Sequence, residues 1–126
     1  MNPNPDSSIS AEAVVQQQLD AYNAHDVDAL LATYAEEARL FEHPATLLAS
    51  GADQLRERFA LRIQEPNLYA HLRQRMVMGR FVIDHEEVTR TFPEGPGTIE
   101  LIATYEVRDG QIINAWFLSG PKTLRA

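Results

Sequence analysis

The sequence predicts an α+β domain in which helices pack on one face of a mostly antiparallel sheet. Three observations carry this expectation. The first third of the chain places apolar residues at helical spacing, Val14, Val15, Leu19 and Tyr22, then Val27, Leu30, Leu31 and Tyr34. From Tyr69 onward the pattern changes to long β-rich runs separated by turn residues. Two amphipathic helices back to back cannot bury both stripes against each other, so they require the sheet that follows.

Each element has a local cause. Ser10 is a natural N-cap for the first helix, because its hydroxyl can accept an orphan N–H of the first turn. That helix should stop near Asn23-Ala24-His25, and Asp26 should cap a second, shorter one whose face includes Tyr34. Arg39 to His43 reads as a short strand ended by Pro44, which cannot donate a ladder hydrogen bond. Residues 45–52 read as a loop. A third helix should run from Asp53 to Gln64 with Leu55, Phe59 and Ile63 on one face, ended by Glu65-Pro66-Asn67. Strands are expected over 72–78, 81–91, 99–107 and 112–118. The second and third are joined by the turn-rich stretch Phe92 to Gly97, and the last two by Arg108-Asp109-Gly110-Gln111, where Asp-Gly tolerates the positive φ of a tight hairpin. Long strands twist, so the sheet should curve strongly around the helices.

At 126 residues the chain fits one domain, residues 10–126, behind a flexible N-terminal tail of residues 1–9. The opening residues lack the basic start and apolar core of a signal peptide. With that, no apolar run of membrane-spanning length and no cysteine, a cytoplasmic, non-membrane protein is expected. Eleven basic against eighteen acidic residues give a net charge of −7, which disfavours nucleic-acid binding. Arg56, Arg58, Arg62, Arg73, Arg75 and Arg80 form a local exception, read as a solvated face offset by Glu57 and Glu65 rather than as an anion site. The histidines His25, His43, His71 and His85 show no metal-ligand spacing, and no phosphate loop or dinucleotide fingerprint is present, so neither metal nor cofactor is expected.

The stretch Leu19 to Leu30, with Ala21-Tyr22-Asn23 and Asp26-Val27-Asp28-Ala29-Leu30, resembles the opening of SnoaL-like and ketosteroid-isomerase-like members of the NTF2-like superfamily. Tyr34-Ala35-Glu36-Glu37-Ala38 running into His43-Pro44, then Gly51, and the closing Tyr105 to Ile112 fit the same pattern, so the resemblance spans about Ser10 to Gly120. It implies an NTF2-like cone: three N-terminal helices on a strongly curved sheet, with a pocket between them and a homodimer through the outer sheet face. In the ketosteroid isomerases the base precedes a proline at the end of the first strand, which falls here on His43 beside Glu42. Their helix tyrosine falls on Gln18 and their oxyanion acid near Ala103. The acid pair does not carry over. The epoxide-hydrolase relay needs an arginine between two acids, and Asp84-His85-Glu86-Glu87 has none interleaved.

Side chains alternate along a strand. Glu42 and His43 therefore point to opposite faces, and so do the pairs Asp84 with Glu86 and His85 with Glu87; alternation alone does not say which set faces the pocket. His43 could act as acid or base near neutral pH, or simply hydrogen-bond the backbone at the rim. Tyr105 shares the parity of Leu101 and Ala103 and is the candidate donor to developing negative charge. The candidate acid–base set is thus His43, Glu42, Asp84, His85, Glu86 and Tyr105. The candidate pocket lining is Gln18, Tyr22, Tyr34, Phe41, Phe59, Leu101, Ala103, Ala115 and Phe117, although helical spacing suits Tyr22 and Tyr34 to a core as well. Trp116 has the opposite parity and is placed at the dimer surface.

The function expected is a pocket for a small, largely apolar carbonyl or hydroxyl compound, with cofactor-independent isomerisation, cyclisation or dehydration by proton transfer. The rivals are a non-catalytic ligand-binding or dimerisation module and an accessory subunit of a larger enzyme. A cavity with convergent titratable groups marks the first, a purely apolar cavity the second and a filled interior the third.

Overall fold

The Ser10 hydroxyl accepts the Ala13 N–H at 3.0 Å and starts helix α1 (Ala11–Asn23) as expected. The computed structural model describes residues 9–125, so the expected tail lies outside the described residues except for Ile9. Val14, Val15 and Leu19 are buried along α1, and Gln18 is buried with them. Asn23 anchors the end of α1 to the sheet: its amide donates to the Ala70 carbonyl at 3.0 Å and accepts the Ala70 N–H at 2.8 Å. Asp26 caps helix α2 (Val27–Ala32) through the Ala29 N–H at 3.0 Å.

Two expectations fail here. Helix α2 ends before Tyr34, which instead opens strand β1 (Tyr34–Glu42). The cause is long-range: Tyr34 pairs with Ile112 in a parallel ladder, and the Ile112 N–H donates to the Thr33 carbonyl at 2.8 Å. Sheet pairing outweighs the helical spacing of one residue. Residues 45–52, read as a loop, contain strand β2 (Thr46–Ser50), which folds back antiparallel on β1. Gly51, at φ 86, then turns the chain into helix α3 (Ala52–Ile63), a backbone geometry that suits glycine.

Four strands complete the sheet: β3 (Tyr69–Met78), β4 (Phe81–Phe92), β5 (Gly95–Arg108) and β6 (Gln111–Leu124). All are longer than the alternation indicates. The turn expected over Phe92 to Gly97 shrinks to two residues because Phe92 already pairs with Gly95. Asp109 and Gly110 both take positive φ, 52° and 76°, as the hairpin requires. The order is β2-β1-β6-β5-β4-β3, with only the β1–β6 pair parallel.

Pairing sets the inner face rank by rank. Leu40, Ala115, Tyr105 and Val82 form one rank across four strands. Glu42, Phe117, Ala103, Asp84 and Arg75 form the next, and Ser119, Leu101 and Glu86 a third. The first rank is fully buried with Val14, Val15, Leu30 and Leu55 of the helices. Towards the third rank the helices and sheet part, and the space between them is a cavity.

Candidate functional site

The cavity has a volume of about 270 Å³ and lies between α1, α3 and the inner sheet face. That is at the lower end of ligand pockets, roughly 300 Å³ and upward, so its occupant is small. Its apolar wall comes from Leu19, Leu40, Leu48, Phe59, Leu101 and Phe117. Its polar lining is Gln18, Tyr22, Tyr34 and Tyr105 together with Glu42, Glu86, Arg58, Arg62, Arg90 and Ser119. A shallow outer groove shares Leu48, Arg58, Arg62 and Arg90 with the cavity, so these four residues mark the mouth.

Strand parity, open in the sequence, is settled by register. Glu86 pairs with Leu101 and faces the cavity, with 4% of its surface exposed. Its carboxyl makes no hydrogen bond or ion pair with another described residue. Burial, with the negative charge of Asp84 beside it, raises its pKa to about 7, and Arg75 offsets only part of that. Asp84 is also buried, but it is consumed by structure. Arg75 grips both of its oxygens, Nε to Oδ1 at 2.7 Å and the terminal nitrogen to Oδ2 at 3.0 Å, and also donates to Gln16 at 2.9 Å. The pairing holds Arg75 protonated to a higher pH than usual.

Three tyrosines converge on the same space. Tyr105 is buried, stands edge-on to Phe117 with ring centres 6.3 Å apart, and makes no hydrogen bond to another described residue. Burial and the nearby Glu86 push its pKa well above the ordinary value. Tyr34 packs on Phe59 at 5.3 Å and its pKa rises for the same two reasons. Its hydroxyl and the Gln18 side-chain oxygen are both buried without a hydrogen-bond partner of good geometry among the described residues, although the Gln18 side chain is near enough to oppose the rise in the Tyr34 pKa. Burial also raises Tyr22, while Arg62 beside it pulls the other way.

At the mouth, Arg90 makes a two-pronged pair with Glu65 at 3.2 and 2.6 Å, and Arg62 lies 3.8 Å from the same carboxylate. These contacts hold Glu65 ionised below its usual range despite its desolvation. Arg58 is half-buried and has no ion pair with another described residue. Burial and the charges of Arg62 and Arg90 lower its pKa, with Glu42 acting in the opposite sense.

Several expected residues fall elsewhere. His43 is exposed in the turn after β1, its N–H donating to the Phe117 carbonyl at 2.8 Å, and it does not line the cavity. The inward parity on β1 belongs to Leu40 and Glu42, which leaves His43 outside. Glu42 does line the cavity, but two strands, β6 and β5, lie between it and β4, about 14 Å along the sheet at the usual strand spacing. His85 points outward and meets Glu100 at 3.0 Å. Phe41 is on the outer face, stacked on Trp116 at 5.7 Å, because it alternates with Leu40 and Glu42. Ala103 and Ala115 face inward, yet sit in the packed core and do not line the cavity. Gln18, Tyr22, Tyr34, Phe59, Leu101, Phe117, Glu86 and Tyr105 all line the cavity.

Residue spacing missed Arg58, Arg62 and Arg90 as a group and missed the arginine partner of Asp84. The register shift in β3 between Leu72 and Gln74 hides the latter: Ala70 and Arg75 both face inward although their numbers differ in parity. The i, i+4 spacing of Arg58 and Arg62 on α3 was the available signal for the former.

Curved sheet, helical cover and a cavity at the open end define an NTF2-like cone. The chain belongs to the SnoaL-like family, whose domain model matches residues 15–115. Among solved structures it is similar to a cystatin-fold protein from Novosphingobium aromaticivorans, with 21% identity, TM-score 0.80, and coverage of 87% of this chain and 98% of that one. An NTF2-like protein of unknown function from Mesorhizobium loti is 18% identical at TM-score 0.75, covering 95% and 98%. A protein from Sinorhizobium meliloti provisionally named a polyketide cyclase is 24% identical at TM-score 0.69, covering 82% and 92%. No curated protein matches the chain in sequence. At these identities the structural likeness carries the fold alone.

Proposed function

We propose that the protein is a cofactor-independent proton-transfer enzyme acting on a small carbonyl or hydroxyl compound, with Glu86 as the acid and base. The observation that carries this reading is the Glu86 carboxyl: it lines the cavity, has no hydrogen-bond or ion-pair partner among the described residues, and is pushed by burial to a pKa of about 7. A carboxylate held near neutrality is populated in both protonation states and transfers protons in either direction. The ionised form takes a proton from the carbon next to a carbonyl, giving an enolate, and the resulting acid returns it to a second carbon. The product is an isomer and no oxidant or reductant is consumed. Tyr105, lining the same cavity with its hydroxyl unengaged by described residues, is the donor to the developing oxyanion. Its raised pKa keeps it protonated for that task. The provisional name polyketide cyclase on the Sinorhizobium protein fits proton-transfer chemistry of this class.

The mixed lining also separates this reading from its rivals. A filled interior suits an accessory subunit and an apolar cavity suits a passive binder, whereas this cavity holds an unpaired acid with three tyrosines. The test is solvent-deuterium uptake, followed by proton NMR, across a panel of short ketones, keto acids and hydroxy ketones. Native protein and His43→Ala should exchange the carbon-bound protons of the responsive compound, and Glu86→Gln should lose at least about 100-fold of that rate, the usual worth of a positioned acid–base group. Equal exchange by Glu86→Gln and native protein overturns the assignment.

A further inference from the structure

We propose that the ligand of this cavity carries an oxyanion, a carboxylate or phosphate group, that docks on Arg58 and Arg62 at the mouth while its reactive end reaches Glu86. This rests on the reading of the cavity above and adds the substrate class.

The arginines are arranged as a binding device lacking its counter-charge. Arg58 and Arg62 lie one helical turn apart on α3, where like charges repel. Arg90 reaches the same mouth from β4. Glu65 satisfies Arg90 with two hydrogen bonds and touches Arg62 only at 3.8 Å, leaving Arg58 with no acid partner among the described residues. The remaining carboxylates are placed less favourably. Glu42 lines the cavity from β1 without forming an ion pair within 4 Å of another described residue, and Glu57 lies exposed in the outer groove.

Burial of Arg58 with its neighbours Arg62 and Arg90 destabilises the very charge it carries. In a chain of net charge −7, three guanidinium groups at one opening are not a reflection of overall composition. A planar oxyanion relieves the repulsion and is gripped by the fork geometry of the guanidinium group. Leu48, Phe59, Leu101 and Phe117 give the cavity an apolar wall, and Tyr22 lies close to both Arg62 and Glu86. The fitting molecule is therefore a small acid with an apolar body and a carbonyl or hydroxyl at its far end. An anion at the mouth is also kept away from the Glu86 carboxylate, which would repel it.

Three probes of one shape class test this: benzoate, phenyl phosphate and uncharged benzamide, with dissociation constants measured by calorimetry at low salt. At least one anion should bind about tenfold or more tightly than benzamide, the scale of one charge-assisted hydrogen bond. Whichever anion binds more tightly identifies carboxylate or phosphate as the recognised form. Arg58→Ala should lower the preference several-fold, the double variant with Arg62→Ala should erase it, and Arg58→Lys should restore part of it. Glu86→Gln should keep the preference, so proton exchange that is as fast in Glu86→Gln as in the native protein, together with a retained preference, refutes the acid–base assignment and leaves this inference standing. Equal affinity for all three probes, absence of binding by all three, or a preference that survives the double variant overturns it.

Discussion

Replacing Glu86 with Gln is expected to stabilise the protein at neutral pH and to remove a pH dependence of unusual sign. Glu86 has an ordinary pKa of 4.5 in the unfolded chain and about 7 in the fold. Between those values the folded state binds the proton and the unfolded state does not. Stability contributed at low pH is therefore lost as pH rises through this window. Each tenfold change in proton affinity is worth about 1.4 kcal/mol, so the loss is ~1 kcal/mol by pH 5 and ~3 kcal/mol by pH 7. The cause is structural: the carboxylate is desolvated, Asp84 repels it, and no donor among the described residues compensates. Glutamine keeps the shape and never ionises. Urea unfolding of both proteins from pH 5 to 8 reads the effect directly. With a urea slope of about 1.5 kcal/mol per M, the midpoint advantage of Glu86→Gln should grow by about 1 to 2 M across the window. Glu65 and Glu106 do not mimic this signal. Their pKa values are lowered, so they lose stability only as pH falls below the ordinary carboxylate range, and both proteins share them. A midpoint difference that stays constant with pH refutes the reasoning.

Two further perturbations separate structure from function. Arg75→Met leaves the fully buried Asp84 without its partner and should cost ~3–5 kcal/mol, measured by urea unfolding, while moving the Glu86 titration above 7 because a nearby positive charge is lost. Tyr34→Phe removes a buried hydroxyl that has no hydrogen-bond partner among the described residues and should raise stability by roughly 1–3 kcal/mol in the same assay; a loss of stability would show that the hydroxyl is satisfied in the protein.

The fold was legible because its signals are local. Ser10 and Asp26 announce two helices by side-chain chemistry, and Asp109-Gly110 announces the last hairpin by backbone conformation. The misread elements depend on partners distant in sequence. Tyr34 leaves its helical spacing because β6 pairs with it, and β2 exists because β1 offers it an edge. The site follows the same rule. Alternation put Asp84 with Glu86 and Tyr105 with Leu101, but which set faces the helices was fixed only by pairing through β5. The inward turn of Arg75 depends on one register shift in β3, which no spacing rule reveals. His43 drew notice through its place before a proline, whereas geometry gives the inward position to its neighbour Glu42.

The titration of the Glu86 side-chain carboxyl by carbon NMR, with the Glu86→Gln spectrum to assign the resonance, tests the account most directly. A midpoint of about 7 in the free protein is the result expected for a buried acid open to a cavity. A midpoint near 4.5 would mean that the carboxyl is solvated or held by a donor, and the proton-transfer site built on it would not exist.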